Sequence, residues 1–196
     1  MSAATTVPHR EKLLREGLRQ LYARGFHGTT IDGILDAAGV PKGSFYHHFG
    51  SKEAFARQVL ARYMQFQLDQ LAEWSGRAEL PVPALLAGYF RAMAARFTGS
   101  GHQRACLAGK LATELAAGHE GFRARLAEDL GGWRERIAGL LETGQQRGEV
   151  RADQPAGLLA DAVLALVQGA FVLALAARED ASLESVATAI ELLVAG

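Results

Sequence analysis

The stretch TTIDGILDAAGVPKGSFYHHFG, Thr29 to Gly50, leaves the chain little choice of local shape. Ile31, Ile34, Leu35 and Ala38 recur at helical spacing, and Thr29 with Asp32 has the spacing of a capping box, so a helix is predicted to start at about Thr29. Gly39 stops it, and Pro41 soon opens another that runs to about Phe49, where Gly50 ends it. A longer helix precedes the pair, because Leu14, Leu18, Leu21 and Tyr22 share a face between Glu11 and Arg24, and Gly25 closes that run. Ser51 caps a fourth, predicted to reach about Glu73. One long helix followed by two short ones across a tight glycine-containing turn is a helix-turn-helix.

The rest of the chain reads as five further helices, roughly 83–98, 104–117, 119–147, 155–177 and 182–194. No strand-like alternation interrupts them, so the expected fold is all-α with about nine helices. Two domains are expected, a head over residues 1–55 and a body over 56–196. The segment Ala156 to Ala177 is long and almost wholly apolar. Asp161, Gln168 and the lack of a flanking basic cluster argue against a membrane span. A helix apolar on every side in a water-soluble protein is buried on every side, commonly by a second copy of the chain.

Charge divides along the same line. Up to residue 62 there are nine lysines and arginines against five carboxylates, although the whole chain is formally neutral. A basic head on an acidic body suggests a head that meets a polyanion. The single cysteine, Cys106, allows no internal disulfide framework, and the amino-terminal MSAATTVPHREK lacks the apolar stretch of a signal peptide. A cytoplasmic location is the expectation.

Within the third helix, Phe45 and Phe49 lie four apart and share a face, which is expected to pack against the first two helices. Lys42, Ser44, Tyr46, His47 and His48 remain for the opposite side, and Gly43 lets the backbone approach a partner closely. Ammonium, hydroxyl and imidazole donors suit phosphate oxygens, as do the free N–H groups of a helix start. A packing role for Tyr46 and the histidines would need neither the lysines nor the glycine. Adjacent His47 and His48 diverge around the helix, so no metal pair is expected.

TTIDGILDAAGVPKGSFYHHFGSKEAF closely resembles the DNA-binding head of the TetR family of bacterial transcriptional repressors, over about residues 9–62. The resemblance implies phosphate contacts from Thr30, Tyr46, His47 and Lys52, and base-edge or close backbone contacts from Lys42, Gly43 and Ser44. It also implies a homodimer, joined through the last two helices, whose reading helices enter successive major grooves of a palindromic double-stranded operator.

For the body, the resemblance implies a dimer-forming, ligand-binding domain whose occupant spreads the two heads. Phe66, Tyr89, Phe90, Met93, Phe97, Leu107, Phe122 and Trp133 offer surface for a small, uncharged effector, although each taken singly is more often plain core. Cys106 falls at the start of a helix, where the dipole favours thiolate, with Arg104 and Lys110 near in sequence. Cys106, Leu107, Lys110 and Glu114 are similar to the pattern of a subgroup that responds to reactive electrophiles, with Ala105 in place of its glycine. The lysine that some members carry on the penultimate helix has no counterpart between Ala170 and Ala177. The competing reading of Cys106 is a small buried hydrophobe.

A DNA-binding regulator with no small-molecule input, constitutive or governed by a protein partner, is the second functional reading; a body without cavities would favour it. Enzymatic function has no support: AGK at 108–110 is not a phosphate loop, and no nucleophile elbow or metal-spaced set is present. No cofactor or metal is expected.

Overall fold

The computed structural model describes residues 7–196. Residues 1–6, which carry part of the reading of the amino-terminus, lie outside the described residues. Nine helices follow one another among the described residues: α1 (His9–Arg24), α2 (Ile31–Ala38), α3 (Lys42–Phe49), α4 (Lys52–Ser75), α5 (Val82–Gly99), α6 (Leu107–Leu115), α7 (Glu120–Gln146), α8 (Ala156–Ala177) and α9 (Ala181–Val194). Among the described residues, extended pairing is confined to one isolated antiparallel bridge between Val150 and Ala195.

The turn that defines the head is built as its sequence suggests, with one correction. The cap of α2 is Thr30, not Thr29: its hydroxyl accepts from Gly33 N at 3.1 Å, and Asp32 takes no part. Thr29 is buried and donates its own hydroxyl to Gly25 O at 2.6 Å, so it ties the loop instead of starting the helix. Gly39 closes α2 in the left-handed conformation, φ +61°, where a β-carbon is disfavoured. Pro41 then caps α3. Ser51 caps α4 by accepting from Ala54 N at 3.1 Å.

Phe45 and Phe49 turn inward and meet Phe55 of α4, with ring centres 5.1 and 4.8 Å away. Gly17 is what lets α1 lie so close to α4. A β-carbon there would come within 2.2 Å of the buried Phe55 ring. Gly17→Ala is therefore expected to overpack the head and cost about 1–3 kcal/mol. Urea denaturation checks this; a midpoint at or above that of the wild type would show that the ring can move away.

Helix α4 runs unbroken from the head into the body, across the boundary expected at residues 55 and 56. There it meets α5, α6 and α7, while α8 packs between α7 and α9. Leu159, Val163, Val167 and Phe171 of α8 enter the core. Leu158, Val172, Leu173 and Leu175 stay exposed, as does Leu192 of α9. One apolar face of α8 is thus left open by its own chain, the face for which a second copy is the expected cover. By length and composition α8 passes as a membrane span, but its largest side chains on the inner face are core.

The start of α6 also differs from expectation. Ser100 Oγ accepts from Gln103 N at 3.2 Å and from Arg104 N at 3.0 Å, and this holds the loop out of helical form until Leu107. Cys106 thus stands at the cap position, φ −78° and ψ 114°, one residue outside the first turn.

Candidate nucleic-acid interface and effector cavities

On α3, Lys42, Gly43, Tyr46, His47 and His48 are exposed and Ser44 is half-buried, so the side opposite Phe45 and Phe49 is a continuous row of donors. A β-carbon on Gly43 would meet nothing within 4 Å, so no packing inside the protein calls for glycine there. Lys42 Nζ lies 3.1 Å from Asp32 Oδ1, and this hydrogen bond raises its pKa from the ordinary value. Both partners are well exposed, so the pair is weak and a phosphate can displace the carboxylate. Ser44 Oγ is 3.2 Å from His9 Nδ1, a neighbour from α1 that nothing in the sequence singles out. Thr30 is exposed at the start of α2, its hydroxyl engaged in the cap.

Lys52 stands apart from this row. Its ammonium rests 4.4 Å above the centre of the Phe26 ring, and burial lowers its pKa. Phe26 in turn contacts Phe122 and His119 at 5.7 and 6.0 Å. Phe122, expected to line a pocket, instead forms the joint between head and body.

Two side chains of α6 grip the end of α1 across that joint. Lys110 Nζ donates to Tyr22 O at 2.8 Å, placing a cation on one of the free carbonyls at a helix terminus. One turn later Glu114 Oε2 accepts from Phe26 N at 2.7 Å. Gly25 makes room for the carboxylate: its φ is +68°, and a β-carbon would lie 2.0 Å from Glu114 Oε1.

Two cavities flank this grip. The first, about 720 Å³, is lined by Leu18 and Tyr22 of α1, Tyr63, Phe66 and Gln67 of α4, Met93 and Arg96 of α5, Arg104 and Ala105 of the loop, and Phe171 of α8, with Gly99 and Ser100. The second, about 670 Å³, contains Cys106, Lys110, Thr113 and Gln168, and shares Tyr22, Ala105 and Phe171 with the first. Phe66 and Met93 thus line one cavity and Cys106 and Lys110 the other. Phe90, Phe97, Leu107, Trp133 and Tyr89 line neither. Phe90 and Phe97 pack on Phe171 at 5.9 and 5.6 Å, and Tyr89 and Trp133 meet edge to face at 6.4 Å. Leu107 is fully buried.

Cys106 is 5% exposed, and its Sγ accepts from Gly109 N at 3.4 Å and Gln168 Nε2 at 3.3 Å. Gly109 is small because Gln168 reaches over it; a β-carbon would stand 2.7 Å from Gln168 Oε1. Lys110, expected to add its charge to the thiol, gives its ammonium to the Tyr22 carbonyl. Burial raises the hydroxyl pKa values of Tyr22 and Tyr63 well above the usual range. The polar walls Gln67 and Gln168 were missed by the sequence reading. A lone glutamine inside the apolar run of α8 was the available signal for Gln168.

Residues 13–59 match the family described as bacterial regulatory proteins, tetR family, and residues 82–190 match the tetracyclin repressor-like C-terminal domain. The transcriptional repressor DhaR of Mycobacterium sp. strain GP1 is 34% identical over 85% of this chain and 82% of its own length. Among solved structures, a TetR regulatory protein from Rhodobacter sphaeroides is 31% identical with a TM-score of 0.89, covering 95% of this chain and 98% of its own. The reduced form of E. coli NemR is 29% identical with a TM-score of 0.88, over 95% and 97%. Donor row, helix order and relatives agree: the chain belongs to the TetR family of bacterial transcriptional repressors, with a helix-turn-helix DNA-binding head, and is not an enzyme.

Proposed function

We propose that the protein is a homodimeric repressor that holds a palindromic operator through its two α3 helices and lets go when a small hydrophobic or electrophilic effector occupies the body. One observation carries the reading. Tyr22 belongs to the head helix α1, lines both cavities, and has its carbonyl held by Lys110 of α6. An occupant of either cavity therefore touches the head directly. To release DNA, the effector must favour the conformation that does not fit the operator.

The open apolar face of α8, with Leu192 of α9, supports a dimer through the last two helices. Operator contacts are assigned to Thr30, Lys42, Gly43, Ser44, Tyr46 and His47. Lys52 joins them only by leaving Phe26. A location in the cytoplasm, with the DNA, follows from the same reading, and α8 is placed in the dimer, not in a membrane. Two cavities at the joint weigh against a regulator without an effector.

The test is fluorescence anisotropy of labelled DNA from upstream of the gene, titrated with a small quinone, for wild type and Cys106→Ser. Serine retains the cap of α6. Release by the wild type alone makes Cys106 the sensing thiol. Release by neither makes Cys106 packing and leaves reversible ligands as the effectors.

A further inference from the structure

The cavity between α4 and α5 carries more polar information than its aromatic walls suggest. Gln67 is 4% exposed and lines it. Its Nε2 donates to the Tyr63 hydroxyl at 2.7 Å, and its backbone carbonyl accepts from Tyr89 at 3.2 Å. Its Oε1 has no hydrogen-bond partner among the described residues. Buried amides are seldom left half-bonded, so this oxygen asks for a donor from whatever fills the cavity.

The second feature is charge. Arg96 and Arg104 line the same cavity, and no carboxylate does. Arg96 is steadied by Gln70 Oε1 at 3.2 Å and lies 5.4 Å from the Phe66 ring centre at the rim. Gln70 is one helical turn from Gln67 on α4, so both glutamines belong to the same face of that helix. The Arg104 guanidinium has no ion pair or hydrogen bond among the described residues. Planar guanidinium groups suit a carboxylate. Tyr22, Tyr63, Phe66 and Phe171 offer ring faces and edges between these two poles.

We infer that this cavity takes a planar aromatic carboxylate bearing a hydroxyl: the ring among the aromatic walls, the hydroxyl donating to Gln67 Oε1, and the carboxylate at Arg96 and Arg104. The inference rests on the effector-release reading and replaces the uncharged effector expected from the sequence. A fatty acid leaves Gln67 unpaired, and a neutral phenol leaves the arginines unmatched.

The experiment is titration calorimetry of the full chain, without DNA, with 4-hydroxycinnamate, cinnamate and methyl 4-hydroxycinnamate. The expected order is 4-hydroxycinnamate tightest, with at least a tenfold loss on removing either the hydroxyl or the charge. Gln67→Leu is expected to weaken 4-hydroxycinnamate about tenfold and leave cinnamate unchanged. Arg104→Met, at an exposed position that cannot upset the fold, is expected to weaken both acids and leave the ester unchanged. Equal affinity for all three compounds, no heat from any, or variants that weaken all three alike would overturn the inference. Operator anisotropy with the same acid separates the two claims: binding without release sinks the release reading and keeps the ligand class, whereas release by a quinone without binding of the acid does the reverse.

Discussion

Gly43→Glu is expected to abolish tight operator binding while leaving the protein folded. The fold has no need of glycine at this position, since a β-carbon meets nothing within 4 Å and the residue lies inside α3. Glutamate is the better helix former, so the melting temperature should hold or rise slightly. At the DNA the same change works in the opposite direction. If α3 reads the operator as proposed, the glutamate fills the gap through which the backbone would approach a base edge and puts a carboxylate among phosphates. A spoiled contact at this level costs about 1–3 kcal/mol per head, so two heads together lose on the order of 100-fold or more in affinity. Thermal melting and operator anisotropy on one preparation check both halves. Unchanged affinity would remove α3 from the groove.

The second large effect concerns the grip of α6 on α1. Replacing Lys110 by Met and Glu114 by Gln together removes the charges that hold Tyr22 O and Phe26 N. The glutamine carbonyl still accepts from Phe26 N, so no buried donor is orphaned and the loss of stability stays at about 1–2 kcal/mol. Allosteric coupling in general amounts to about 1–3 kcal/mol, or roughly 5–150-fold in affinity. In the double variant this response is expected to shrink to less than about threefold, because Tyr22 O loses its cation and Phe26 N keeps only a neutral acceptor. The measurement is the operator dissociation constant with and without a saturating quinone or 4-hydroxycinnamate, whichever releases the wild type. A response of wild-type size would show that the signal reaches the head by another route, with α4 the first to examine.

The head was legible because its information is local. Gly25, Gly39 with Pro41, and Gly50 punctuate the helices, and each break can be seen within a few residues. The inward turn of Phe45 and Phe49 follows from spacing alone. The body was legible in outline but not in its interior. Spacing cannot tell an aromatic residue that lines a cavity from one that packs on a neighbour: Phe90 and Phe97 are core only because Phe171 arrives from α8 to meet them. The grip on the head was hidden for the same reason, since Lys110 and Tyr22 are 88 positions apart. Gly17 and Gly88 lie within helices, with nothing nearby in the sequence to say what they face. Their purpose appears only when the Phe55 and Trp74 rings are seen pressed against them. The late start of α6 depends on one serine hydroxyl, Ser100, taking two backbone donors.

Tyr22, Ala105 and Phe171 stand between the two cavities as a shared partition. Molecules on either side of a common wall do not bind independently. If an adduct at Cys106 pushes the wall toward α4, the acid on the other side loses affinity by some factor, and the acid must hinder the thiol's ligand by that same factor at equilibrium. Under the proposed function such an arrangement would act as a two-input gate: a single repressor weighing a reactive chemical against an unreactive one, with the stronger occupant deciding whether the gene is read.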